Sequence, residues 1–120
     1  MRDKRNYLDF VPVKNPQLPW QEDEGAIVTV EVTHRGLAAK VAQIAFNRPK
    51  VSHIHMDAFG SFIWKEIDGE QNIYEIGQKV KEHFGKEAEP LYERLTTFFR
   101  ILAKDIISGN YENISLIKNN

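Results

Sequence analysis

The spacing of apolar residues changes at residue 57, and this change constrains the fold more than any other feature. In 26–33 and 51–56 the apolar or β-branched side chains recur every second residue, which is typical of half-buried strands. After residue 57 they recur every third or fourth residue, as on the buried face of a helix. A length of 120 residues is that of one domain. Strands and helices must therefore share one core, and the sequence predicts an α+β fold.

Three helices are predicted after residue 57, over 58–67, 73–84 and about 87–107. The residues that mark their ends are two N-caps, a capping-box acid and a C-terminal glycine: Asp57, Asn72, Glu75 and Gly85. Three helices joined by tight turns suggest a helix-turn-helix core, and the short strands before and after it suggest a wing.

The rest of the chain adds one more helix, a last strand and an irregular arm. Alanines and an i, i+4, i+7 apolar pattern predict a helix over 37–47, between the first two strands. Residues 113–118 are predicted to form the last strand. Three prolines within eight positions exclude a helix near the N-terminus. We therefore expect an arm, 1–25, followed by a winged helix-turn-helix domain, 26–120, with a small antiparallel sheet and this extra inserted helix.

Composition excludes several function classes. The absence of cysteine rules out disulfides, thiolate metal sites and cysteine nucleophiles. A net charge of −1 argues against strong nonspecific binding to nucleic acid. The apolar stretches are too short to span a membrane, and the charged N-terminus does not resemble a secretory signal. We expect a cytoplasmic protein that does not bind membranes.

His53 and His55 are the clearest candidates for chemistry, because side chains two apart on a strand point the same way and can share a metal ion. A third ligand would have to come from elsewhere, either His34 or an acidic residue. The alternative is a pair of half-exposed strand histidines facing solvent or a ligand. No glycine-rich phosphate loop and no Gly-x-Ser-x-Gly motif occurs. The sequence therefore predicts neither an enzyme nor a cofactor.

Residues 57–76 resemble the signature of the PqqD family, the pyrroloquinoline-quinone synthesis protein D family. The matching positions are Asp57, Gly60, Ile63, Trp64, Ile67, Asp68, Gly69, Ile73, Glu75 and Ile76. The resemblance extends over about 51–107. The chain departs from the pattern by the helix 37–47, by the proline-rich arm and by Asn72, where the family commonly has threonine.

The resemblance implies a winged helix-turn-helix domain that binds the leader segment of a ribosomally made peptide. Such domains present the peptide to a modifying enzyme, often a radical SAM enzyme. The peptide adds a strand to the sheet edge and lies beside the third helix. The implied edge is Val51, Ser52, His53, Ile54 and His55. The implied groove residues on the third helix, which also suit the core, are Leu91, Leu95, Phe98 and Leu102.

Two other function classes stay open. A winged helix-turn-helix regulator would bind DNA, although 57–109 carries seven basic and ten acidic residues, which opposes phosphate contacts. A protein–protein scaffold module would use the exposed face of the helix 37–47. An open strand edge also permits a strand-paired homodimer.

Overall fold

The computed structural model describes residues 7–33, 51–103 and 117–119. The helix predicted over 37–47 lies outside these residues. So do His34, the first part of the predicted last strand and the predicted end of the third helix, 104–107.

The strands form two antiparallel sheets. They are β1 (Pro12–Lys14), β2 (Trp20–Glu22), β3 (Val28–Thr33), β4 (Val51–His55) and β5 (Ile117–Asn119). The larger sheet has the order β2-β3-β4, and the smaller sheet pairs β1 with β5. The predicted strands 26–33 and 51–56 are confirmed as β3 and β4. Because β2 pairs with β3, the larger sheet crosses the boundary expected at residue 25.

Three α-helices follow β4, as the apolar spacing predicts: α1 (Ala58–Glu66), α2 (Ile73–Phe84) and α3 (Leu91–Ala103). The Asp57 side chain caps α1, accepting from the Gly60 N–H at 2.7 Å. Asn72 and Glu75 form the predicted capping box at α2, with both bonds 2.8 Å long. No helix among the described residues is long and apolar enough to cross a membrane.

The third helix begins later than the sequence indicates. Residues 85–88 form a separate 3₁₀ turn, and Glu89 is extended, with φ −79° and ψ 145°. The reason is Pro90, whose ring disfavours helical backbone in the residue before it. The prediction of a helix from Glu87 was therefore wrong, and α3 starts at Leu91, directly after the proline.

The turn between α1 and α2 is held by Asp68 and Gly69. The Asp68 carboxylate accepts hydrogen bonds from the backbone N–H groups of Gln71 and Glu70, each at 2.9 Å. These bonds stabilise the ionised form and hold the pKa of Asp68 below its ordinary value. Gly69 has φ +80°, in the left-handed region that favours glycine.

The N-terminal arm completes the start of α2. The first two N–H groups of this helix, on Ile73 and Tyr74, donate to the carbonyls of Phe10 and Leu8 at 2.9 and 3.0 Å. The first N–H groups of a helix have no acceptor within the helix and commonly bond to water. Here the carbonyls of the arm accept these hydrogen bonds instead. The arm is thereby joined to the helical core.

The core lies between the inner face of the larger sheet and the three helices. The largest side chains that are fully buried are Trp64 on α1 and Phe99 on α3. Trp20 packs edge-to-face on Trp64, with ring centroids 6.1 Å apart, and the Lys14 ammonium lies 4.6 Å from the Trp20 centroid. Burial lowers the pKa of Lys14.

Candidate functional site

The backbone of β4 has an outer edge whose hydrogen-bonding groups point away from the sheet. The register pairs Ile54 with Val30, and the Met56 N–H donates to the Val28 carbonyl at 2.9 Å. In an antiparallel pair alternate residues direct their N–H and C=O groups to opposite sides. The main-chain groups of His53 and His55 therefore point outward, and no described strand lies against them.

The two faces of β4 carry different side chains, as the period of two predicts. His53 and His55 are exposed on one face, where their register partners are Glu31 and Thr29. The Thr29 Oγ1 and His55 Nδ1 atoms share a hydrogen bond of 2.9 Å. Ile54, on the other face, packs against the core. Val51 and Ser52 belong to the same strand, opposite Thr33 and Val32.

The two histidines can be compared with the metal site considered for them. Among the described residues, no three His, Cys, Asp or Glu side chains are grouped so that they could hold a metal ion. His34, the third ligand considered, lies outside the described residues. The side chains of His53 and His55 form the exposed face of β4, the edge strand of the larger sheet.

A buried serine ends the pairing of β3 with β4. The Val28 N–H donates to the Ser61 Oγ at 2.8 Å, and this hydroxyl donates to the Met56 carbonyl at 3.4 Å. The hydroxyl thus lies between two backbone groups that would otherwise bond to each other. Ser61 is 1% exposed and belongs to α1, so it fixes the start of this helix against the end of β4.

An open groove of about 400 Å³ lies beside the end of β4, between the start of α1 and one face of α3. This volume is within the range of pockets that bind ligands. Its lining is part apolar and part charged, and consists of Asp57, Phe59, Pro90, Glu93, Arg94, Thr97, Phe98 and Ile101.

Two contacts give the groove its shape. A Cβ atom at Gly60 would lie 2.9 Å from the Phe98 Cε1, so the missing side chain lets the Phe98 ring pack against α1. The Arg94 guanidinium lies over the Phe59 ring, 3.8 Å from its centroid, and also donates to the Glu87 carbonyl. The floor of the groove is therefore built from stacked side chains of α1 and α3.

The structure divides the four α3 residues implied by the resemblance. Leu91, Leu95 and Leu102 are buried in the core, at most 4% exposed. Phe98 is half-buried and lines the groove. One of the four residues, Phe98, therefore lies at the groove. The spacing of apolar side chains alone does not show which of them face the core and which face the groove.

Several groove residues, Arg94 and Ile101 among them, escaped the sequence analysis. Arg94, Phe98 and Ile101 follow one another at i, i+4 and i+7, so they form a second face of α3 beside the buried stripe. Ile101 is the sequence feature that could have indicated this face, because it is a large apolar residue outside the core stripe. It is 64% exposed, the most of any large apolar side chain described.

Comparisons with known proteins bear on this arrangement. Searches of curated proteins and of solved structures give no match. In a scan against protein-family models, residues 47–105 match the family described as "Coenzyme PQQ synthesis protein D (PqqD)". The match includes β4, the three helices and every residue that lines the groove.

Proposed function

Because residues 47–105 of this chain belong to the PqqD family, we propose that the protein binds an extended peptide and acts by recognition, not by catalysis. The guest peptide pairs with the outer edge of β4 and lies in the groove beside α3. The guest is the leader segment of a ribosomally made precursor, which the protein presents to a modifying enzyme of the radical SAM class. This use extends the coenzyme-synthesis role that the family description names.

The observation that carries the proposal is the outward-pointing main chain of His53 and His55 next to the groove. Strand addition needs a row of backbone donors and acceptors that the sheet leaves available. It also needs pockets for alternate side chains of the guest, because those side chains give selectivity. The edge and the groove meet at the end of β4, because Asp57, two residues after the last strand residue, lines the groove.

Two of the three charged side chains of the groove, those of Asp57 and Arg94, support binding over catalysis. The Asp57 carboxylate accepts a hydrogen bond from the Gly60 N–H as the N-cap of α1. Arg94 is held between the Phe59 ring and the Glu87 carbonyl. These side chains therefore have structural tasks, and a general acid or base would need a group free to exchange its proton with a substrate.

We further propose that the three helices and the larger sheet have the winged helix-turn-helix arrangement, with the sheet as the wing. Phosphate binding by this arrangement is disfavoured, because 57–103 carries six basic and nine acidic residues. The same open edge of β4 permits a homodimer in which two copies pair their strands, and a guest peptide would compete with that pairing.

The proposal is tested by titrating the ¹⁵N-labelled protein with peptides that tile the short open reading frames beside its gene. We expect one peptide to shift the amide signals of 53–55 and 94–101 together. The amides at the exposed middle of α2, around Gln78, serve as the control and should not move. A full peptide set that leaves 53–55 unshifted would contradict strand addition at β4.

A further inference from the structure

The two ends of the groove differ in chemistry. Near the start of α3 it is lined by the Glu93 carboxylate, and further along α3 by Phe98 and Ile101, with the Asp57 carboxylate close to the Phe98 ring. We infer that the groove selects guest peptides in which an apolar residue is followed or preceded, two positions away, by lysine or arginine. This inference rests on the proposed function and adds the chemical class of the peptide.

The charge balance of the lining favours a cation. The groove contains two carboxylates and one guanidinium, and this guanidinium already interacts with the Phe59 ring and the Glu87 carbonyl. Asp57 and Glu93 are both exposed, so a guest ammonium or guanidinium can reach them without losing all of its hydration. Complementary charge of this kind contributes to specificity more than to affinity.

The spacing follows from the length of the groove. Glu93 and Ile101 are eight residues apart on α3, which corresponds to about 12 Å along the helix axis. An extended guest advances about 3.3 Å per residue and directs every second side chain to the same face. A guest strand that follows the groove therefore places two or three side chains in it. When an apolar guest residue lies at Phe98 and Ile101, the next inward side chain of the guest lies toward Glu93.

The experiment uses three short peptides whose sequences are symmetric about a central residue. Their charge pattern is therefore the same whichever way the peptide runs along β4. Each contains a central Leu with Thr on both sides, and the outer positions are both Lys, both Gln or both Glu. Each peptide is titrated into the ¹⁵N-labelled protein at low ionic strength, with the amides of 53–55 as the reporter. We expect the Lys peptide to bind about tenfold more tightly than the Glu peptide, with the Gln peptide between them. The difference should shrink at high salt.

Charge reversal in the protein completes the test. Glu93→Lys should invert the order, so that the Glu peptide binds more tightly than the Lys peptide. Glu82→Lys is the matched control, because it changes the net charge equally on the exposed face of α2, outside the groove. It should keep the original order. Asp57→Asn retains a capping oxygen and should reduce the preference for Lys.

The two proposals fail in different ways. Equal affinities of the three peptides, with shifts at 53–55, would overturn the charge selectivity and leave strand addition standing. An unchanged order in Glu93→Lys would do the same. If none of the three peptides shifts 53–55 at millimolar concentration, peptide addition at β4 is contradicted together with the inference that rests on it.

Discussion

Gly60 on α1 and Gly77 on α2 let these helices pack close to α3. The two sites differ in how far the neighbouring side chain of α3 can move. A Cβ atom at Gly77 would lie 2.6 Å from the Leu95 Cδ1, and Leu95 is fully buried. At Gly60 the nearest atom is the end of the half-buried Phe98 ring, at 2.9 Å. A buried leucine has little space into which it can move, whereas Phe98 can turn toward the open groove.

We predict that Gly77→Ala destabilises the protein more than Gly60→Ala does. Alanine gains about 1 kcal/mol of helix propensity over glycine at either position. Overpacking a closed core costs about 1–3 kcal/mol, so Gly77→Ala should lose about 1 kcal/mol net. Gly60→Ala should be nearly neutral in stability but weaken peptide binding, because the displaced Phe98 ring enters the groove.

Urea unfolding of both variants measures the first part, and peptide titration measures the second. An equal loss of stability in the two variants would contradict the difference in packing. Unchanged peptide affinity in Gly60→Ala would contradict the role of Phe98 as a groove residue.

Asp68 gives the molecule a predictable response to acid. Hydrogen bonds from the Gln71 and Glu70 N–H groups lower the folded-state pKa of Asp68 below its ordinary value of 3.8. The unfolded chain therefore takes up this proton first, and the stabilisation that is present above 3.8 is lost as the pH falls through the folded-state pKa. Asp68→Asn keeps an acceptor without the titration.

We predict that Asp68→Asn shows a smaller loss of unfolding free energy than the unchanged protein between neutral and strongly acidic pH. Urea unfolding at several pH values measures the loss. Glu82→Gln is the control, because it removes the same charge from the exposed face of α2, away from this turn, and it should keep the acid sensitivity of the unchanged protein. Identical acid sensitivity of Asp68→Asn and the unchanged protein would show that these bonds do not couple the Asp68 proton to folding.

Among the elements, α3 shows what the sequence can and cannot establish. Its existence and its core stripe follow from the apolar spacing, and the stripe is confirmed by the burial of Leu91, Leu95, Phe99 and Leu102. The groove face was not predictable, because it depends on where the start of α1 lies across from it. That placement is a tertiary contact, and local periodicity contains no information about it.

The edge of β4 permits a test that separates main chain from side chain. In His53→Pro the outward N–H is removed, while the ladder to β3 uses the alternate residues and is retained. We predict a stability within about 1 kcal/mol of the unchanged protein. Peptide affinity should fall about tenfold, because one main-chain bond is lost and the proline ring meets the guest.

His53→Thr is the control for this variant, since threonine removes the imidazole but keeps the N–H and suits a strand. It should bind peptide with nearly unchanged affinity. Equal affinities of the proline and threonine variants would show that the outward main chain of β4 takes no part in binding.

At the scale of the whole molecule, the arm is the part that sequence reasoning described least well. Tyr7 is helical, but residues 8–25 contain no helix, as the prolines predict, and Pro12 begins β1. The partner of β1 is β5, about 105 residues further along the chain, and β2 joins the larger sheet. Such long-range pairings depend on the folded core that brings both segments together, so local pattern does not reveal them.

The placement of the termini also matters for function. The C-terminal strand β5 pairs with β1, in the smaller sheet, and the outer edge of β4 belongs to the larger one. Among the described residues, the terminal strands therefore do not compete with a guest for β4. In the proposed function the arm packs on the core, and the edge of β4 and the groove bind the peptide.

The most direct test is an isotope-filtered NOE experiment on the labelled protein with a bound, unlabelled peptide. The account predicts NOEs from the amide protons of His53 and His55 to backbone protons of the peptide, alternating along the strand. It also predicts NOEs from Phe98 and Ile101 to side chains on one face of the peptide. A complex in which the peptide instead contacts β2, at Trp20–Glu22, and leaves His53 and His55 without intermolecular NOEs would contradict it.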